Sequence, residues 1–351
     1  MRVLVVSDTI GALTSMAAGR ALASGWPQAG VTVLPAGEAG GPFVRAWAED
    51  RGVEVVESVA GDQLIAVAVA GAEAAVGVQG PPAGDGIAYA ATSRPLGEAL
   101  QTVLTGPVRR AYLDLGGAGV HDGGAGLLAA LGASADRPLD SGVEALTGLT
   151  RLDLAPVRRT LGEVELVGVV PADQLGQPLL GLRGITSLSG RSSGQPAESM
   201  LATDAALGQL SALAGPAYSG QPGAGACGGL GFAVLALGGR LSTGASLALG
   251  SERATAALRG TDLVLTGCSV FDFHSRGGGV VAAAAEAAST ALSPCVVVAG
   301  EVVIGGREMR TMGVEAAYAV RESTLGTPGA TDITEAELVM MAHRVARSWS
   351  W

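Results

Sequence analysis

The 351-residue chain contains no lysine, so all 22 of its basic residues are arginines. This excludes a P-loop lysine, a Schiff-base lysine and a lysine general base. Aromatic residues make up only 3% of the chain, and the core must be built from Ala, Val and Leu. Cysteine is limited to Cys227, Cys268 and Cys295, far apart and odd in number. That pattern offers no disulfide framework and fits a reduced, cytoplasmic protein. Acidic residues outnumber basic ones to give a formal net charge of −10. A basic footprint for nucleic acid or for an anionic membrane is therefore not expected. The most apolar long stretch, "VVAAAAEAASTALSPCVVVAG", is broken by Glu286 and Pro294 and does not read as a membrane span. The opening "MRVLVVSDTI" lacks the length and cleavage site of a secretory signal and reads as a first β-strand.

What the chain has in abundance is glycine, 55 residues of it, clustered at loops without a collagen-like period. Between the loops runs a strand–helix rhythm. "RVLVVSD", "VTVLPAG" and "LIAVAVAG" read as buried strands, and "TSMAAGRALASGW" and "PFVRAWAEDRG" as helices. "VQGPPAGDG" is the best linker candidate. After it come a helix "RPLGEALQTVL" and a strand "RRAYLDLGG", then a less regular middle. "TDLVLTG" and "PCVVVAG" return to strand character with an alanine-rich helix between them, "AAYAV" is a last strand, and "TEAELVMMAHRVARSW" a C-terminal amphipathic helix. This reads as α/β: one open parallel-sheet domain made of both termini, with a second domain inserted.

Four stretches carry a resemblance. "GGAGVHDGGAGLLAALG" is similar to a G-G-S-A-T-N-D-G-G-A-G motif, "PGAGACGGLGFAVLALGGRL" to G-A-G-A-A-G-G-L-G, "TDLVLTGCSVFDFHS" to D-L-V-I-T-G-E-G-x-x-D-x-Q-[ST], and "QPLLGLRG" to N-P-L-L-G-x-x-G. In order and spacing they resemble the type-1 glycerate kinase family. The resemblance implies a discontinuous Rossmann-like parallel-sheet domain (residues 1–80 and 261–351) carrying an inserted α/β domain (81–260), with an active-site cleft between them. It also implies an ancestral reaction, phosphoryl transfer from ATP to D-glycerate with Mg²⁺.

The glycines of these motifs are kept and many polar side chains are not. Ala118, Val120 and His121 stand for the family's Ser, Thr and Asn, while Asp122 keeps its charge. Cys268, Ser269 and His274 stand for Glu, Gly and Gln, while Asp272 remains. Ser193 falls where lysine is expected, Gly278-Gly279 replaces a Gly-Lys, and Gln174 and Gln177 replace an acid and an Asn. Losing one donor that neutralises phosphate costs roughly 10²–10³ in rate. Arg183, Arg191 and Arg276 are the available substitutes.

Each candidate has a functional and a structural reading. Asp122 and Asp272 are read as Mg²⁺ ligands or proton acceptors, or else as a helix cap and a turn brace. His121, Cys268 and His274 are read as a rebuilt catalytic set, with Cys268 as a nucleophile, or as residues drifted in a disused pocket; no metal site is assigned. Asp8, Gly116, Gly117, Gly123, Gly124 and Arg183 are the cofactor-contacting candidates, the glycines alternatively serving packing. Cys227 and Cys295 are read as packing residues. Trp349 and Trp351 either pack on a second subunit, as in a homodimer, or fray.

Three functions follow: a protein of this family repurposed to different chemistry on a less charged small molecule, an active divergent kinase using ATP and Mg²⁺, or a non-catalytic binding protein. The ligand is expected to be a small molecule in each case.

Overall fold

The opening apolar run forms β1 (Arg2–Ser7), and the stretch after it forms α1 (Ser15–Ala23), whose first turn is closed by the Thr14 hydroxyl accepting the Ala17 N–H. The chain continues through β2 (Gly30–Pro35), α2 (Pro42–Arg51), β3 (Val56–Ala60), β4 (Gln63–Ala70), β5 (Glu73–Gln79), α3 (Arg94–Leu104), β6 (Arg110–Asp114) and α4 (Ala125–Ala130). Then come β7 (Ser134–Ala135), β8 (Leu152–Asp153), α5 (Ala155–Leu161), β9 (Glu165–Val169), α6 (Ile185–Ser192), α7 (Ala197–Ala214), α8 (Ala226–Ala236) and β10 (Arg240–Ser242). The last part is α9 (Gly244–Leu249), α10 (Glu252–Leu258), β11 (Leu263–Phe271), α11 (Gly279–Thr290), β12 (Cys295–Val302), α12 (Gly306–Thr311), β13 (Ala316–Ala319) and α13 (Glu335–Trp349). The computed structural model describes residues 1–61, 63–80, 86–273, 279–321 and 332–350; His274, Arg276, Gly278 and Trp351 lie outside them.

The first of two units comprises residues 1–38, 45–52 and 243–351. Its sheet runs β13-β12-β11-β1-β2, and every neighbouring pair is parallel. Both faces are covered, which is why its strands are apolar throughout rather than alternating. Val3, Val5, Leu263 and Leu265 pack toward Ala18, Leu22, Leu338 and Val345 of α1 and α13. Leu4, Val6 and Val264 pack toward Ala245, Ala254 and Ala284 of α9, α10 and α11. The chain leaves β1 for β2 on one side and β11 for β12 on the other. The strand order therefore reverses between β1 and β11, and open α/β sheets hold ligands beyond the C-terminal strand ends at such a point.

The second unit comprises residues 39–44 and 53–242. Its sheet runs β10-β9-β6-β5-β4-β3, parallel from β10 to β5 and antiparallel across β5-β4-β3. One face carries the core, where Val76, Leu113 and Leu115 meet Leu96, Leu100, Leu127, Leu207, Leu210 and Phe232. The other face carries a charge ladder: Arg110 pairs with Glu73 at 2.9 Å and Glu165 at 2.7 Å, and Arg240 reaches Glu165 at 3.2 Å.

These unit limits differ from the limits 1–80, 81–260 and 261–351 expected from the sequence. β3, β4 and β5 join the second unit because β5 hydrogen-bonds along β6. α9 and α10 join the first unit because Ala245 and Ala254 are buried in its core. The second sheet is mixed, not purely parallel, for the same reason: the β3–β4–β5 meander extends its edge.

Candidate functional site

Two glycine loops of the second unit meet backbone to backbone. One follows β6 and leads into α4; the other enters α8. Gly123 donates its N–H to the Gly228 carbonyl at 3.0 Å. A Cβ on Gly228 would lie 1.8 Å from the Val120 carbonyl oxygen, and one on Gly229 would lie 2.8 Å from Gly123 Cα. Three consecutive residues, Cys227, Gly228 and Gly229, have left-handed φ of 52°, 66° and 89°. Glycine adopts that conformation without penalty, whereas Cys227 holds it at a cost of about 1–3 kcal/mol. The Cys227 N–H is held by Gln174 Oε1 at 2.8 Å.

A pocket of about 380 Å³ opens beside these loops, past the ends of β6 and β9 and along α6. His121, Asp173, Gln174, Ser189, Ser192 and Cys227 supply its polar wall, and Gly116, Gly119, Val120 and Ile185 also line it. His121 is only 2% exposed and its Nε2 lies 3.0 Å from Thr186 Oγ1. Burial pushes its pKa down to about 4, so the imidazole is neutral at pH 7. Burial likewise pushes the Cys227 thiol up, and the nearby Asp114 and Asp173 add to that shift. The lining thus offers a neutral imidazole, a protonated thiol, an amide and hydroxyls. Among the described residues its one carboxylate is Asp173, and no guanidinium lines it.

Residues 3–350 match the glycerate kinase family. The chain belongs to that family. Relatives include an uncharacterized protein of Mycobacterium bovis, 31% identical over 92% of this chain and 84% of that one. A glycerate kinase of Bacillus cereus is 28% identical over 79% of this chain and 74% of its own. The crystal structure of a putative glycerate kinase 2 from Salmonella typhimurium LT2 superposes with a TM-score of 0.79 at 23% identity, covering 99% of this chain and 98% of that chain, which shows the same fold.

Within this glycerate kinase family chain, four of the motif glycines are closely packed. A Cβ on Gly116 would meet Gly40 N at 2.6 Å, on Gly117 the Val78 carbonyl at 2.3 Å, and on Gly124 the Ala233 Cβ at 2.3 Å. On Gly123 it would meet Leu207 and Leu210 at 2.9 Å. Of the four, Gly116 lines the pocket. Asp122 is fully buried and does not line it. Its carboxylate accepts from Ser93 N–H and Oγ–H at 2.8 Å each, Gly124 N–H at 2.9 Å and Gly126 N–H at 3.1 Å. Oδ2 takes both Ser93 bonds and the Gly126 bond, and Oδ1 takes the Gly124 bond, so the carboxylate caps the starts of α3 and α4 from within the core. Arg183 is exposed and outside the lining, and Arg191 donates to the Ser187 and Leu182 carbonyls at 2.8 and 2.9 Å. Ser193, at the expected lysine position, donates to the Ser189 carbonyl at 2.7 Å.

In the first unit Asp8, Cys268 and Asp272 gather at the ends of β1 and β11, where the strand order reverses. Asp8 accepts the Thr9 N–H at 2.7 Å, yet burial pushes its pKa up to about 6. The Cys268 thiol is raised too, by burial first and then by Asp8 and Asp272. Two flanking carboxylates raise a thiol's pKa, whereas a neighbouring cation would lower it. Ser269 ties this edge together, its Oγ taking the Gly11 N–H at 3.0 Å and donating to the Thr9 carbonyl at 3.3 Å. His274, the third member of the expected set, lies outside the described residues. Among the described residues no group of three or more His, Cys, Asp or Glu could hold a metal.

Sequence reading missed Asp114. It is fully buried at the end of β6 and accepts from Gly40, Gly41 and Gly116 N–H at 2.8, 2.9 and 3.1 Å. Burial outweighs these bonds and raises its pKa to about 6. Two opposite pH slopes follow. The folded state holds the Asp114 proton more tightly than the unfolded chain does, so its stability contribution declines as pH rises from about 4 through 6. His121 is lowered from 6.5 to about 4, so its contribution is present above 6.5 and is lost as pH falls toward 4. Melting temperatures across this range are expected to show Asp114→Asn gaining on wild type as pH rises, and His121→Gln gaining as pH falls. Parallel profiles for all three proteins would contradict both assignments.

Proposed function

We propose that this glycerate kinase family member binds a small, hydroxyl-bearing, weakly charged molecule in the pocket of its second unit, and that ATP-dependent phosphorylation of glycerate is not its main activity. The observation that carries this is the lining: among the described residues, one carboxylate and no guanidinium. A glycerate carboxylate or a polyphosphate beside Asp173 would meet repulsion without a compensating cation. A triphosphate with its Mg²⁺ does not fit this donor set. The neutral His121 imidazole can hydrogen-bond a ligand hydroxyl, but burial that holds its pKa at about 4 makes it a weak proton acceptor. Thiolate chemistry receives no support from Cys227 or Cys268, both of which hold their protons.

A second reading, an active kinase, is favoured by the acidic edge of the first unit. Asp8 and Asp272 stand where an open α/β sheet binds ligands, and relatives carry the name glycerate kinase.

Thermal shift against ATP with Mg²⁺, ADP, D-glycerate and a panel of uncharged polyols separates the two. A ligand at a hundred times its Kd stabilises by about 2.7 kcal/mol. The expected result is a shift with a polyol that Asp173→Ala abolishes, and none with ATP and Mg²⁺. A nucleotide shift accompanied by phosphorylated glycerate would establish the kinase reading instead.

A further inference from the structure

The guanidinium groups missing from that pocket gather elsewhere. In the first unit a groove of about 510 Å³ runs along the starts of β1 and β2 and the connection from α10 to β11. Among the described residues Arg2, Arg253 and Arg259 line it, and no carboxylate does.

The three arginines are held differently. Arg253 is anchored: its guanidinium pairs with Asp50 and donates to the Val33 carbonyl at 2.9 Å. Arg2 lies against Gly260, where a Cβ would come within 2.1 Å of its guanidinium, and it donates to the Arg259 carbonyl at 3.3 Å. The adjacent Asp262 carboxylate is engaged by the Arg2 backbone N–H at 2.7 Å and faces the N-terminal ammonium at 4.0 Å. Among the described residues the Arg2 guanidinium has no carboxylate partner, and the Arg259 guanidinium has neither a hydrogen-bond nor an ion-pair partner.

Two unpaired guanidiniums facing one groove is unusual in a chain of net charge −10, where acids are in excess. Their mutual repulsion is relieved by a bound anion, and the guanidinium fork matches phosphate and carboxylate oxygens. Gly260, with φ +73°, is what lets the Arg2 side chain occupy its place, so the chain geometry itself builds the site.

We propose that this groove binds a small oxyanion of two or more negative charges, a phosphate monoester or a polycarboxylate, gripped by Arg2 and Arg259 against the wall that Arg253 forms. The groove lies at the N-terminal ends of the strands, whereas Asp8 and Cys268 lie at the C-terminal ends. The six residues of β1 put about 20 Å between the two edges. The anion therefore binds apart from the C-terminal edge of the sheet. This inference stands independently of the function proposed above.

Isothermal titration calorimetry of the full chain in low-salt, phosphate-free buffer tests it, with inorganic phosphate and citrate as probes. One saturable site is expected, weakening as salt rises. Arg259→Ala should bind about tenfold more weakly, the loss expected for one charge-assisted hydrogen bond. Its ligand-free melting temperature should be unchanged, because that guanidinium braces nothing. Arg2→Gln provides a second variant. Binding of phosphate alone assigns a phosphate ligand, and binding of citrate alone a polycarboxylate. No saturable heat with either probe at millimolar concentration, or equal affinity in wild type and both variants, overturns the proposal.

Discussion

Gly228→Ala is expected to destabilise the protein by about 3–5 kcal/mol, the range reserved for severe core and backbone defects. Two causes add. The new Cβ would sit 1.8 Å from the Val120 carbonyl oxygen, a backbone atom that no rotamer change can move. The residue also has φ +66°, where an L side chain is strained. Val120 cannot retreat without dragging the loop that donates the Gly123 N–H to the Gly228 carbonyl. Total stabilities run to about 5–15 kcal/mol, so the variant should melt far below wild type or fail to accumulate in soluble form. Gly220→Ala is the control, since a Cβ there meets nothing within 4 Å and the φ is unstrained. Chemical denaturation of the two variants side by side decides the matter. If Gly228→Ala unfolds at the same denaturant concentration as Gly220→Ala, the two glycine loops are not in contact.

Asp122→Ala should be nearly as damaging, at about 3–5 kcal/mol, because truncation leaves the groups around a buried charge uncompensated. The backbone N–H groups of Ser93, Gly124 and Gly126 would each lose their acceptor in a fully buried place. The Ser93 hydroxyl, which also accepts the Leu127 N–H at 2.9 Å, would lose its orientation. The damage would therefore reach the first turns of both α3 and α4. Asp122→Asn keeps the shape and one acceptor but turns an NH₂ toward N–H donors, and an intermediate loss is expected. A purely catalytic Asp122 predicts the reverse pattern, with activity lost and melting temperature kept.

Much of the first unit was legible in the sequence because a doubly covered parallel sheet writes itself as apolar runs. β1, β2, β11 and β12 stand out for that reason, and the Thr334–Glu337 capping box marks the start of α13. The losses came where that signal fades. β3 is an exposed edge strand with sequence VESVA, and β5, EAAVGVQ, is built of small residues. Neither has the contrast that marks a strand. Without them the boundary was drawn at the prolines after residue 80, although the chain crosses between units near residues 39–53 and again at 242–243. Composition cannot report such crossings, since they are defined by which sheet a strand pairs with.

At the candidate site, His121 was legible because histidine is rare here and stands within a glycine motif. Asp114 was not, because a carboxylate ending a strand gives no local hint that Gly40 and Gly41 will come to it from more than seventy residues away. Cys227 was read as simple packing; its left-handed backbone and its place in the pocket depend on the neighbouring loop. The retained glycines were ambiguous in sequence, since tight backbone contact and phosphate approach call for the same residue.

The pairing of β1 with β11 has a consequence for how the protein comes off the ribosome. The two strands are joined across some 260 residues of chain. At about 5–20 residues per second, the nascent β1–β2 segment waits roughly 13–50 s for its central neighbour to be synthesised. All that time its apolar faces stand exposed while the intervening segment folds. Early-synthesised strands of this kind are natural clients for a holding chaperone, and refolding from denaturant should be slow and prone to aggregation at high protein concentration.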